Sequence, residues 1–247
     1  MATAYNIDEV CMWSNVISID KMYDREIDYI LGRLQSTKDL SYAVEESKNR
    51  LWIYLAGICD RQEELEDEVQ SILDVVFLSF IKLRFFLNKL HIRSMTHAKC
   101  ALICSIVHFD REFESGIVTK TLKSALDYNV DGLMNFRLCA LSEGWQELAD
   151  LANRLLEGCN NEADIYEIAT FITGSEGKLN QLVLNHNRLR NLTCHKSVEV
   201  VKLFDQEEYN LLSAIIREKP SEILIEGCKF TPPMNATLKK IVRVIEK

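Results

Sequence analysis

Apolar positions recur every three or four residues through most of the first 175 residues, the spacing of amphipathic helices. This spacing predicts helices at about 22–34, 38–58, 60–91, 94–109, 113–128, 131–158 and 161–171. Ser36 and Asp39 are spaced like a capping box at the head of 38–58, with the shorter acid in the reaching position. Glu63, Glu64 and Glu66 crowd the first turns of 60–91, where acids suit the positive end of a helix dipole. Residues 129–156 carry the fullest stripe: Leu133, Phe136, Leu138, Leu141, Trp145, Leu148, Leu151 and Leu155. A stripe that continuous predicts an internal helix with Phe136 pointing inward. Ahead of residue 22 the pattern is open. Val16, Ile17 and Ile19 suit a short strand or a simple lead-in.

The pattern changes beyond Gly177. Leu182, Val183 and Leu184 read as a strand, as do residues 198–203. Residues 206–217 read as a helix stopped by Pro220, residues 221–225 as a buried strand, and 235–246 as a last helix after Pro232 and Pro233. The fold class expected is mainly α: a multi-helix bundle over 1–175, with a small C-terminal α/β unit over 176–247 packed on it. That unit would hold two or three short strands and two helices. Only 3 prolines and 9 glycines are present, a scarcity of breakers that favours long helices.

Composition narrows the function classes. The chain has 247 residues, 47% apolar and 27% charged, ordinary values for a folded soluble protein. Its net charge of −8 repels nucleic acid, so no nucleic-acid partner is expected. No window reaches the roughly 18 unbroken apolar residues of a membrane span. The N-terminus has neither the basic nor the apolar region of a signal peptide. Cysteines stand at 11, 59, 100, 104, 139, 159, 194 and 228, with no CxxC pair. Free buried thiols in a reducing cytoplasm are the expectation, not a disulfide framework. Phosphate-loop, dinucleotide, nucleophile-elbow, zinc-protease and EF-hand motifs are missing, so neither a catalytic residue nor a cofactor is expected.

Three constellations could still carry chemistry. His97, Cys100, Cys104 and His108 share one helix face and are common zinc ligands. The two histidines would lie roughly 16 Å apart along a helix, too far for one four-ligand site. Core packing is the better reading of the cysteines. Arg137, between Phe136 and Leu138, calls for a carboxylate partner, with Asp110, Glu112 and Glu114 the candidates. Anchoring of a ligand is the alternative. Asp131 suits an N-cap, and Gly132 a close approach or turn. Lys82, Arg84, Lys89, Arg93 and Lys99 form an acid-free stretch. It reads as solvated helix faces, or else as a basic surface for an acidic protein or anionic lipid.

The motif Asp131, Gly132, Leu133, Asn135, Phe136, Arg137, Leu138 has the form acid, Gly, apolar, then F-R-L. Asp110, Glu112 and Glu114 lie upstream in HFDREFE, and EYNLLSAIIREKPSEILIEG runs a helix into a Pro and a short strand. Together these residues resemble the sporulation protein YtxC family of spore-forming Firmicutes, over about residues 100–247. Relatives are expected to carry further α/β sequence ahead of the helices, little of which is visible in this chain. The resemblance implies a non-catalytic cytoplasmic protein of the sporulation programme, acting through protein–protein interaction with an unnamed partner. Homo-oligomerisation is compatible with it. It carries over no catalytic residue and no cofactor, and it gives the motif residues a structural or interaction role. The alternative is a ligand-binding or enzymatic protein with its site between the helical body and the C-terminal unit, where Arg137, Asp110 and His108 would converge.

Overall fold

Period-two burial, not a helical stripe, governs residues 12–20 and 50–58. Strand β1 (Met12–Asp20) buries Trp13, Ile17 and Ile19. After helix α1 (Asp24–Ser36), β2 (Leu40–Glu46) turns back through Ser47–Arg50 into β3 (Arg50–Ile58), which buries Leu51, Ile53 and Leu55. Such alternation places one set of side chains on one face of a sheet. The computed structural model describes residues 12–174, 180–186, 188–227 and 230–246. Residues 1–11, Cys11, Cys228 and the boundary expected at 175/176 lie outside the described residues.

The remaining chain runs through α2 (Gln62–Val75), a π-helical turn (Val76–Ile81), α3 (Lys82–Lys89), α4 (His97–Val107) and α5 (Arg111–Lys123). It continues with β4 (Tyr128–Asn129), the single turn α6 (Val130–Gly132), a second π-helical turn (Leu133–Arg137), α7 (Cys139–Glu157) and α8 (Glu162–Thr173). Then come β5 (Gln181–Asn185), β6 (Arg188–Asn191), β7 (Lys196–Val198), α9 (Glu207–Glu218), β8 (Glu222–Glu226), α10 (Pro232–Ile241) and β9 (Arg243–Glu246). Two compact units result: Met1–Phe77 with Glu114–Ala140, and Leu78–Phe113 with Leu141–Lys247.

The first unit is built on a four-stranded mixed sheet ordered β2-β3-β1-β4. Its inner face pairs Ile17 with Ile53 and Ile19 with Leu51. Helix α2 supplies Leu65, Val69, Ile72 and Leu73 to the core, and α1 supplies Ile30 and Leu34. A β-carbon at Gly57 would collide with Leu65 Cδ1, so the glycine lets α2 sit close on β3.

The second unit has a five-stranded mixed sheet ordered β7-β6-β5-β8-β9, in which β5, β8 and β9 run parallel. Leu182 and Leu184 lie beside Ile223 and Ile225 on its buried face. Helix α4 is buried all round, from Ala98 through Val107 apart from Lys99, and packs against α3, α8, α9 and α10. A helix apolar on every side belongs inside a core. The central helix of this unit is therefore α4, not the 129–156 segment.

Two sheets of four and five strands make this an α/β fold, not a mainly α bundle with a small C-terminal unit. The largest revision is 38–58, a hairpin instead of a helix. Asp39 takes a positive φ of 61°, which ends any capping box there. Trp52, Ile53 and Tyr54 favour a pleated strand. Of the two readings of Val16–Ile19, the strand is observed. The expected strand over 198–203 does not form: β7 ends at Val198, and residues 199–203 follow in no regular element. The expected last helix stops at Ile241 and gives way to β9.

Candidate protein-interaction surface

The motif segment is not one helix. Asn129 caps α6, its Oδ1 accepting the Gly132 N–H at 2.9 Å, which displaces Asp131 from the expected cap. Asp131 instead takes the Arg50 guanidinium, in a charge-assisted hydrogen bond from Nη2 to Oδ2. Its other oxygen accepts the backbone N–H of Asp20 at 3.2 Å. Arg50 Nη1 donates further to Ser18 Oγ and Asn129 Oδ1, both at 3.1 Å. The head of the motif is thus bolted to the end of β1 and the start of β3. A β-carbon at Gly132 would lie 2.9 Å from Asn129 Cγ, so glycine leaves room for the cap to fold back.

Beyond Gly132 the backbone widens into a π turn. Leu138 N–H donates to Leu133 O at 2.9 Å, five residues back, and both leucines are buried. Phe136 is 81% exposed, against the expectation that it points inward. An α-helical period sets Phe136 on the side of Leu133; the π turn moves Leu138 there and ejects Phe136. Of the stripe's later members, Leu151 and Leu155 are exposed, while Leu141, Trp145, Ala149 and Ala152 form the buried face of α7.

Arg137 is exposed and meets no carboxylate among the described residues. Its Nη2 donates to Ser124 Oγ at 2.7 Å and Nη1 to Ser124 O at 3.4 Å. That tether holds the turn to the end of α5, two residues before Leu126, which is 98% exposed. Phe136 and Leu126 are thus exposed apolar side chains on the two segments that the Arg137–Ser124 tether joins. Glu114 is buried on α5, and Glu112 is exposed. Asp110 is exposed in a left-handed conformation between α4 and α5, which its short polar side chain tolerates. Arg50, Asn129 and Leu126 were not singled out by sequence reasoning. Arg50 and Asp131 are paired across 81 positions, which no local spacing signals.

The His/Cys row on α4 does not converge. Cys100 and Cys104 are buried with their sulfurs 3.9 Å apart. The contact with Cys104 and then burial push the Cys100 thiol up, so it stays protonated and is a poor metal ligand. His108 is buried, and its Nε2 lies 2.9 Å from Ser213 Oγ on α9. Burial, and then the charges of Arg111, Arg217, Lys82 and Lys219, hold it neutral. His97 stacks edge-on against Tyr209 and stands 3.6 Å from a Glu208 oxygen. Among the described residues no group of three His, Cys, Asp or Glu is placed to hold a metal ion. Among the described residues Cys59 is disulfide-bonded, Cys139 and Cys194 are exposed and Cys159 is half-buried, so the expectation of free buried thiols holds there only for Cys100 and Cys104.

The basic stretch is not one surface either. Lys82 is fully buried, its Nζ donating to Phe109 O at 3.0 Å near the Trp145 ring, while Lys99 Nζ caps Ser94 O. In the second unit a cleft of about 1170 Å³ opens at the carboxyl ends of β5 and β8, where ligand crevices form in α/β sheets. Arg188 and Lys202 line it with the acids Asp205 and Glu207, above Val200 and Leu211. Asn210 holds one wall, accepting from Leu203 N and Phe204 N and donating to Phe204 O. Among the described residues no helix is long and apolar enough to cross a membrane. Comparison of the chain with protein-family models, with curated proteins and with solved structures finds no match.

Proposed function

We propose that this chain is a non-catalytic cytoplasmic protein of the sporulation programme that binds another protein through the Leu133–Arg137 turn. The observation that carries the reading is the exposure of Phe136 on a turn whose two flanks are fixed. Arg50 and Asp131 hold one side, Arg137 and Ser124 the other. A pre-ordered aromatic loses little entropy on docking, and burying it gains roughly 1.5–3 kcal/mol. Arg137 beside it supplies a residue type enriched in interface hot spots. The likeness of this motif to the YtxC family supplies the sporulation context.

A photo-crosslinking residue placed at Phe136, and another at Leu126, tests the proposal in sporulating cells. The same adduct is expected from both sites and from neither in vegetative cells, with exposed Glu147 on α7 as the silent control. No adduct at either site, or adducts no different from those at Glu147, refutes it. A second reading is favoured by the mixed-charge cleft over β5 and β8. It would take a small zwitterionic ligand there, and Arg188→Glu with Lys202→Glu would abolish that binding and leave the Phe136 adduct intact.

A further inference from the structure

Among the described residues strand β2 closes one side of the four-stranded sheet, and every residue from Ser41 to Glu46 is exposed. The hairpin fixes which way its backbone groups point. Ser47 N–H donates to Arg50 O at 2.9 Å, and bonded pairs recur every second residue of an antiparallel ladder. The register from Leu40–Gly57 to Glu46–Leu51 is unbroken. Ser41, Ala43 and Glu45 therefore turn their amides to β3, while Leu40, Tyr42, Val44 and Glu46 turn N–H and C=O outward.

Exposed edges of this kind are ordinarily blunted by proline, lysine, a bulge or very short length. Strand β2 has none of these over its 7 residues. Its two acids sit together at one end, and both are drawn onto their own sheet. Glu45 accepts from Tyr54 Oη at 2.9 Å, and Glu46 pairs with Lys21 at 2.6 Å. Tyr42 and Val44 stand on one face, 37% and 43% exposed.

We propose that this edge pairs with the same edge of a second copy of the chain, antiparallel, about a two-fold axis at Ala43. That register uses the whole strand. Tyr42 meets Val44 of the second copy twice, aromatic against β-branched, a favourable cross-strand pair. Ala43 meets its own counterpart. Each Glu45 faces Ser41 and each Glu46 faces Leu40, so no like charges oppose. Moving the axis to Glu45 or Glu46 sets acid against acid, which fixes the register away from the strand's end. The result is a continuous eight-stranded sheet with an isologous interface, the commonest form of homodimer. This surface is separate from the Phe136 turn, and the inference does not depend on that reading.

Sedimentation equilibrium of the full chain from micromolar to millimolar concentration tests it. The parent is expected to approach a doubled mass. Val44→Pro removes an outward N–H without touching the β3 ladder and is expected to stay monomeric with an unchanged circular dichroism spectrum. Ala43 would occupy a non-hydrogen-bonded pair, where Cα atoms come to about 4.5 Å, within disulfide range. Ala43→Cys should therefore give a reducible covalent dimer under mild oxidation, and Ser41→Cys, facing Glu45, should give none beyond the parent's background. A parent that remains monomeric throughout overturns the proposal, as does a dimer that survives Val44→Pro or links equally through Ser41→Cys.

Discussion

The Arg50–Asp131 pair is the most quantitative handle on the motif. Its side chains are 25% and 21% exposed, between a surface ion pair worth about 0.2–1 kcal/mol and a buried one whose breakage costs about 3–5 kcal/mol. Arg50 also bonds Ser18 and Asn129, so Arg50→Met takes a donor from three acceptors and should cost about 2–3 kcal/mol. Asp131→Asn keeps an acceptor for the Asp20 N–H and loses only the charge, so about 1.5–2 kcal/mol is expected. If the pair acts as drawn, the double variant is less damaged than the sum of the singles by about 1–2 kcal/mol. Because the chain has two compact units, global melting mixes them. Hydrogen exchange on the β1 and β3 peptides reads the local opening free energy instead. Additivity within about 0.3 kcal/mol would mean that Arg50 does not hold the motif to the sheet.

The remaining predictions concern burial. Leu138→Ala should cost about 2–5 kcal/mol, whereas Phe136→Ala should stay within about 0.5 kcal/mol of the parent; denaturant titration returning the reverse order would place the turn wrongly. His108 is held neutral by burial and by the cations around it, so below pH about 6.5 the unfolded chain takes up a proton that the native one does not. Stability should therefore fall by about 1 kcal/mol from pH 7 to pH 5.5, and His108→Gln should lack that acid limb; superimposable pH profiles would contradict it. Alkylation followed by peptide mass spectrometry should label Cys139 and Cys194 in the native protein, and Cys100 and Cys104 only after denaturation. Rapid native labelling of Cys104 would show that α4 is not the core of its unit.

What was legible in the sequence, and what was not, follows from which signals are local. The helices at 24–36, 62–75 and 207–218 are visible because each keeps its period over several turns. Strand β8 was visible because Pro220 and a short apolar run bracket it. The hairpin at 40–58 was missed because Leu40, Val44, Leu51, Leu55 and Ile58 satisfy a three-four spacing almost as well as alternation does. The arbiter was the aromatic and β-branched content around Trp52, Ile53 and Tyr54. Arg137 was expected to meet a carboxylate and meets Ser124, since an exposed guanidinium needs no counter-charge. Lys82 reads as surface in the sequence because its acceptor, the Phe109 carbonyl, lies 27 positions away.

The π turn explains why Phe136 faces outward where an α-helical period predicts it inside. On an α-helix Leu133 and Leu138 stand roughly 140° apart and cannot both face one core. Widening the turn by one residue brings both inward and pushes the residue between them outward. The bulge alone does not call for an aromatic there. A serine or aspartate would sit in water at no cost, whereas an exposed phenylalanine contributes nothing to this chain's own folding. On the binding role proposed above, its worth lies in what the folded protein meets. Phe136→Ser separates the two roles: the fold and the Leu133–Leu138 bond should persist, while the adduct formed from Leu126 should disappear. If that adduct survives the substitution, the aromatic is incidental to binding and its exposure is only a by-product of packing the two leucines.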